Sequence, residues 1–195
     1  MTEAHVFAIG LALACLAGVR AYLTVFGVGL AGLMGWVDLP PALEVTTSPW
    51  VMGTAGALAV VEFAADKIPG VDSGWDLLQT LARIPAGAFL AAATLSDDGQ
   101  LGTGALVIGG TAALGMHLVK SGSRAAINTS PEPVSNWVAS TGEDITALGV
   151  LALVFAYPWL ALAVLLTVML AGAVVLWLLL RWLWRRRPRL GVAAG

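Results

Sequence analysis

Charge is what this chain has least of. Only 11% of its 195 residues are charged and 58% are hydrophobic, whereas a soluble domain carries about 25% charged residues. Mean hydropathy is +0.87, too high for a water-facing surface. Spans of about 20 apolar residues fill the length and leave no room for a soluble catalytic domain. The formal net charge of -2 lacks the basic excess expected of a nucleic-acid partner. A single cysteine, Cys15, lies in an apolar run. That excludes disulfides and cysteine-based metal clusters within the chain, and Cys15 reads as a small buried apolar residue. His5 and His117 are too few for a histidine-based metal centre. No G-x-x-x-x-G-K-[ST], H-E-x-x-H or G-x-S-x-G is found, so the residues of a P-loop, a zincin site and a nucleophile elbow are missing. No metal or other cofactor is implied. Sparse carboxylates can still carry membrane chemistry, so the enzyme reading is weakened rather than removed.

What is present is a series of apolar runs. The first, 4–36, is long for one span and is interrupted by Gly18-Val19-Arg20, which predicts a bent helix or two half-helices. Further spans are predicted over 49–65, 73–95, 101–119, 135–157 and 158–180. Pro49 suits a first helical turn, and Ser73 and Ser135 are placed to cap. The expected fold is therefore an all-α polytopic helical membrane protein of about six transmembrane helices in one domain. Met1-Thr2-Glu3-Ala4-His5 lacks the basic start of a signal peptide, so the first run is expected to be retained. The tail over 181–195, with Arg181, Arg185, Arg186, Arg187 and Arg189, is a basic, aromatic anchor. Lys and Arg favour the cytoplasmic side, which places both ends there, in a bacterial inner membrane. The loops with Asp38 and Glu44, and with Asp97 and Asp98, then lie outside. Those with Lys67, Lys120 and Arg124 lie inside.

An offset of 62 residues aligns Pro69-x-x-x-Ser73-x-Trp75 with Pro131-x-x-x-Ser135-x-Trp137, and Gly87 with Gly149. Two parallel-repeat helical hairpins would explain this, as would shared capping chemistry. Transporters often place their site between repeats. The polar stretch from Asn128 to Trp137 is either a re-entrant loop lining a cavity or a solvated connector.

Ionisable residues in spans are costly and face the protein interior. Glu62 and Asp66 share one helical face, as do Asp72 and Asp76, with Arg83 seven beyond Asp76. His117, Lys120 and Arg124 share another if the fourth helix continues that far. Arg20 lies in the first run, and Glu143 and Asp144 lie in the fifth. The candidate substrate- or ion-binding residues are therefore Arg20, Glu62, Asp66, Asp76, Arg83, Lys120, Arg124, Asn128, Glu143 and Asp144. The offset places Glu62 opposite Arg124, and a pairing of Glu62 with Arg124 or Arg20 is expected. Structural ion pairs and snorkelling interfacial charges are the plainer explanation for each, most of all near the boundary at Lys67, Asp72, Lys120 and Glu132.

Several motifs are also similar to a bacterial membrane family. They are Gly18-Val19-Arg20-Ala21-Tyr22-Leu23-Thr24, the stretch Val61 to Ser73, Trp75-Asp76, Pro85-Ala86-Gly87, Lys120-Ser121-Gly122-Ser123-Arg124, Asn128 to Trp137 and Glu143-Asp144. The family they resemble is domain of unknown function 4126. The resemblance covers nearly the whole chain and implies a polytopic membrane protein. It carries over no activity and no catalytic residue.

These readings favour a small transporter or channel with a buried acidic and basic site, one suited to proton or cation coupling. The alternatives are a lipid-handling protein (a flippase, scramblase or headgroup enzyme) and a structural or assembly factor. The expected partners are membrane lipids and a small molecule or ion. Gly27, Gly29, Gly32 and Gly35 permit close packing or homo-oligomerisation.

Overall fold

Long apolar runs bounded by proline and hydroxyl caps can satisfy their backbone only as helices, and helices form. The computed structural model describes residues 2–68, 70–96, 99–127 and 133–186, with no strand among them. Six α-helices follow in order: α1 (Glu3–Leu33), α2 (Pro49–Ala65), α3 (Val71–Thr94), α4 (Thr103–Ile127), α5 (Pro133–Ala156) and α6 (Pro158–Arg186). A 3₁₀ segment, Pro41–Thr47, which hydropathy does not signal, joins α1 to α2. Ser48 caps α2 by accepting the Val51 N–H, and Pro49 opens the helix. The third helix, expected to start at Ser73, begins earlier. That helix starts at Val71 after Gly70, whose φ of +86° makes the turn. The Gly70 N–H donates to the Asp72 carboxylate at 2.9 Å.

Among the described residues, four stretches are long and apolar enough to cross a membrane: Glu3–Leu33, Gly74–Thr94, Trp137–Ala156 and Pro158–Trp182. Pro41–Thr47 and Pro49–Ala65 qualify only together, bent by 65°. Helix α4 does not qualify, since glycines, His117 and Lys120 dilute its apolar residues. Much of α6 presents exposed leucine and valine. In water this would be a large apolar patch; a helical membrane protein turns such a surface to lipid.

Helix α1 is central, with Ala8, Ala12, Leu13, Cys15, Leu16 and Ala17 in the core. Between helices in lipid, close backbone approach replaces the hydrophobic drive, and small residues permit it here. A Cβ on Gly18 would lie 2.3 Å from the Ala113 carbonyl oxygen, and one on Gly109 would lie 2.6 Å from that of Gly87. These contacts lock α1, α3 and α4 together. Gly27, Gly29 and Gly32 happen to be spaced G-x-G-x-x-G. They lie inside α1 against Leu151, Thr46 and Leu39, with no strand before them, so they are packing glycines and not a dinucleotide loop.

The Gly18-Val19-Arg20 interruption marks a real break. Arg20 has φ -141° and ψ 77°, and α1 kinks there. Of the residues paired by the 62-residue offset, Gly87 and Gly149 sit in unlike surroundings. Gly87 is tightly packed, whereas a Cβ on Gly149 would meet nothing within 4 Å. Pro69 and Pro131 lie outside the described residues.

Candidate functional site

The break in α1 lies inside a buried ionic network. Arg20 projects from the kink and meets Asp66 just beyond α2, in a close ion pair. It also meets Asp144 of α5 at 2.6 Å, with Glu143 at 3.7 Å and Glu62 at 3.9 Å. Lys120 of α4 reaches Asp66 at 2.8 Å, Asp76 at 3.5 Å and Glu143 at 3.8 Å. Its ammonium also donates to the Val19 carbonyl at 3.4 Å, beside the break. Arg124, one turn further along α4, grips Glu143 with a fork of two bonds, 3.1 and 2.8 Å, and donates to the Asp66 carbonyl at 3.4 Å. Lys67 reaches Asp144 at 3.0 Å, with Ser140 at 3.4 Å and its ammonium over the Phe63 ring.

Arg83 forms the other end. It pairs with Glu62 and with Asp76, each at 2.9 Å, and donates to Gln79 one turn earlier on α3. It also donates to Nδ1 of His117 at 2.9 Å. Because arginine can only donate, Nδ1 carries the lone pair and His117 is the neutral Nε2–H tautomer. That N–H faces the Thr80 hydroxyl at 2.7 Å, which donates to the Asp76 carbonyl at 3.2 Å.

The ion pairs join five cations, Arg20, Lys67, Arg83, Lys120 and Arg124, to five carboxylates, Glu62, Asp66, Asp76, Glu143 and Asp144. These are all the lysines and arginines before residue 181. Asp72, also buried, lies at the α3 start. Burying each charge alone would cost several kcal/mol; mutual pairing offsets that cost and is the condition for this site to exist. Glu143 and Asp144 are the most accessible members, with side chains 22% and 14% exposed, and no other member exceeds 8%.

Nine of the ten residues singled out from the sequence therefore meet in one network. The tenth, Asn128, lies outside the described residues, as do the loop residues up to Glu132. Of the two partners expected for Glu62, Arg20 pairs with it, at 3.9 Å, and Arg124 does not, because it engages Glu143. The nearer partner of Glu62 is Arg83 at 2.9 Å, which the offset did not indicate. The His117–Lys120–Arg124 face of α4 turns inward as expected, but Lys120 and Arg124 bond across to the Asp66 turn and α5. Lys67 and Lys120, near the expected boundary, are buried. The periodicity did not point to Gln79, although its place four residues before Arg83 could have.

A cleft of about 380 Å³ opens between α3 and α4. Asp76, Thr80, His117, Ser121 and Arg124 line it on the network side, and exposed Leu77, Leu114 and Leu118 rim it. A larger cleft of about 710 Å³ between α1 and α5 is mostly apolar, lined by Leu23, Phe26, Leu151 and Phe155 among others, and does not touch the network. No group of three or more histidine, cysteine or acidic residues able to hold a metal is present among the described residues.

The model of a family described as domain of unknown function (DUF4126) matches residues 7–181, and the chain belongs to that family. No curated protein and no solved structure matches it.

Proposed function

We propose that this member of a family of unknown function is a small membrane transporter, and that the ionic network at the α1 break is its substrate or ion site. The observation that carries the reading is the break itself. A helix interrupted at membrane depth frees backbone carbonyls, which are tolerated only where protein or a cavity receives them. Here Lys120 receives the one at Val19, within a cluster of paired charges. Discontinuous helices with charged partners are how many transporters build their sites. A cluster of adjacent carboxylates also suits proton coupling, because protonating any one of them upsets the balance of the rest. The full proposal has all six α-helices crossing a bacterial inner membrane, the α3 and α5 hairpins as parallel repeats, and the arginine-rich tail in the cytoplasm.

The test is proton flux in proteoliposomes, driven by a potassium diffusion potential and read by a pH-sensitive dye. The wild type should acidify the lumen, and Glu62→Gln, Asp76→Asn and Glu143→Gln should each slow it severalfold or more. Flux equal to that of protein-free vesicles, or unaffected by all three substitutions, would sink the transport reading.

One observation favours lipid handling as a second reading. The α3–α4 cleft has polar lining and a leucine rim, which suits a headgroup reached sideways from the bilayer. Dithionite quenching of a fluorescent phospholipid in the same vesicles separates the two. Loss of protected signal without proton flux selects lipid movement. Absence of both activities leaves the network as a structural clamp.

A further inference from the structure

The charges of the network are divided unevenly among the helices. All five cations come from α1 to α4 and the turns between them, and these elements supply Glu62, Asp66 and Asp76 to the ion pairs. Counting only these buried groups, with buried Asp72 included, five cations face four carboxylates, a positive surplus confined to the interior. Helix α5 removes it with two adjacent carboxylates. Arg20 and Lys67 converge on Asp144 at 2.6 and 3.0 Å. Arg124, Lys120 and Arg20 converge on Glu143 at 2.8, 3.8 and 3.7 Å.

Three features mark α5 as the replaceable partner. Its two carboxylates are the most accessible members of the network. The helix is loosely packed on one side, where a Cβ at Gly142 or Gly149 would meet nothing within 4 Å. The fit to Arg20 is also imperfect. Arg20 is 1% exposed, yet its Nε has no acceptor among the described residues. Its Nη2 lies close to Asp144 without an aligned hydrogen bond.

We propose that Arg20, Lys67, Lys120 and Arg124 form a binding site for a phosphate-type oxyanion, for which Glu143 and Asp144 of α5 substitute. Two neighbouring carboxylates present two negative charges and four oxygens to the four cations, as a doubly charged oxyanion does. Arginine forks bind carboxylate and phosphate by the same geometry. Ligand and α5 carboxylates therefore compete for one set of donors, and binding displaces α5. In a transporter, that exclusion links ligand binding to a helix movement. The inference rests on the network being a ligand site and adds the class of ligand.

The test uses the full chain in detergent, with sulfate as the probe. Asp144→Asn removes one competing charge with little change of shape and should bind sulfate at least about tenfold more tightly than wild type. Glu44→Gln, remote from the network, should leave the affinity unchanged. In the wild type, saturating sulfate should speed hydrogen exchange in α5 and slow it in α1 and α4. This second readout does not depend on the variant folding. Equal sulfate affinity in wild type and Asp144→Asn, or no change of α5 exchange at saturating sulfate, would overturn the proposal.

Displacement of bound sulfate by inorganic phosphate assigns a free anion. Displacement by lysophosphatidic acid alone assigns a lipid headgroup, and either result supports the site. If sulfate fails but proton flux still depends on Glu62 and Asp76, only the oxyanion assignment falls. If sulfate binds as expected and no proton moves, the coupling reading falls instead.

Discussion

Replacing Arg83 by methionine tests the network most directly. Arg83 is fully buried and holds Glu62 and Asp76 at 2.9 Å each. At that distance, with an effective dielectric of about 20, each attraction is roughly 6 kcal/mol before desolvation is subtracted. Methionine keeps most of the volume but leaves two buried carboxylates short of a partner, so Arg83→Met should destabilise the fold by about 3 to 5 kcal/mol. Glu62→Gln in the same chain removes one orphaned charge and should recover part of that loss. The resulting coupling should be about 2 to 4 kcal/mol, within the range for close charge pairs. The parallel cycle between Glu62 and Arg124 should give at least about 1 kcal/mol less, because Arg124 is spent on Glu143 and distant sites add almost independently. Unfolding by sodium dodecyl sulfate in mixed micelles, followed through the eight tryptophans, supplies the free energies. A Glu62–Arg83 coupling below about 0.5 kcal/mol, or one no larger than that of Glu62–Arg124, would refute the pairing and restore the repeat-based expectation.

Three further outcomes are expected. Gly18→Val must push α1 away from the Ala113 carbonyl, where a Cβ has only 2.3 Å, and should cost about 1 to 3 kcal/mol in the same unfolding assay; Gly142→Ala, with open space around it, should be neutral or stabilise by up to about 1 kcal/mol. A green fluorescent protein fused after Gly195 should fluoresce in cells and alkaline phosphatase there should be inactive, since the arginine-rich tail is proposed to be cytoplasmic; the opposite pair of results would invert the topology.

Much of the site is readable from residue spacing alone. Glu62 with Asp66, and His117 with Lys120 and Arg124, recur at helical spacing, and all five prove buried. Helical spacing puts residues on one face, and the cost of charge in an apolar environment turns that face inward. The interruption at Arg20 is legible for a related reason, since a charged residue between small ones in a long apolar run has few other uses. The pairing is not legible. A 62-residue offset aligns Glu62 with Arg124, but Arg83 of α3 reaches Glu62 of α2 at 2.9 Å, a contact between two helices that spacing within either one does not fix. Nor does the 3₁₀ segment show, because Pro41–Thr47 has no strong hydropathy pattern.

The amino-acid sequence by itself determined the class of the protein, the helices and the inward faces. Those follow from composition and periodicity, which are local properties of the chain. Only the tertiary structure decided which cation meets which carboxylate, that α1 is broken inside the network, and that α5 supplies the last two negative charges. These depend on how closely one helix backbone can approach another, and a contact across 77 residues, such as that of Lys67 with Asp144, has no signature in local spacing.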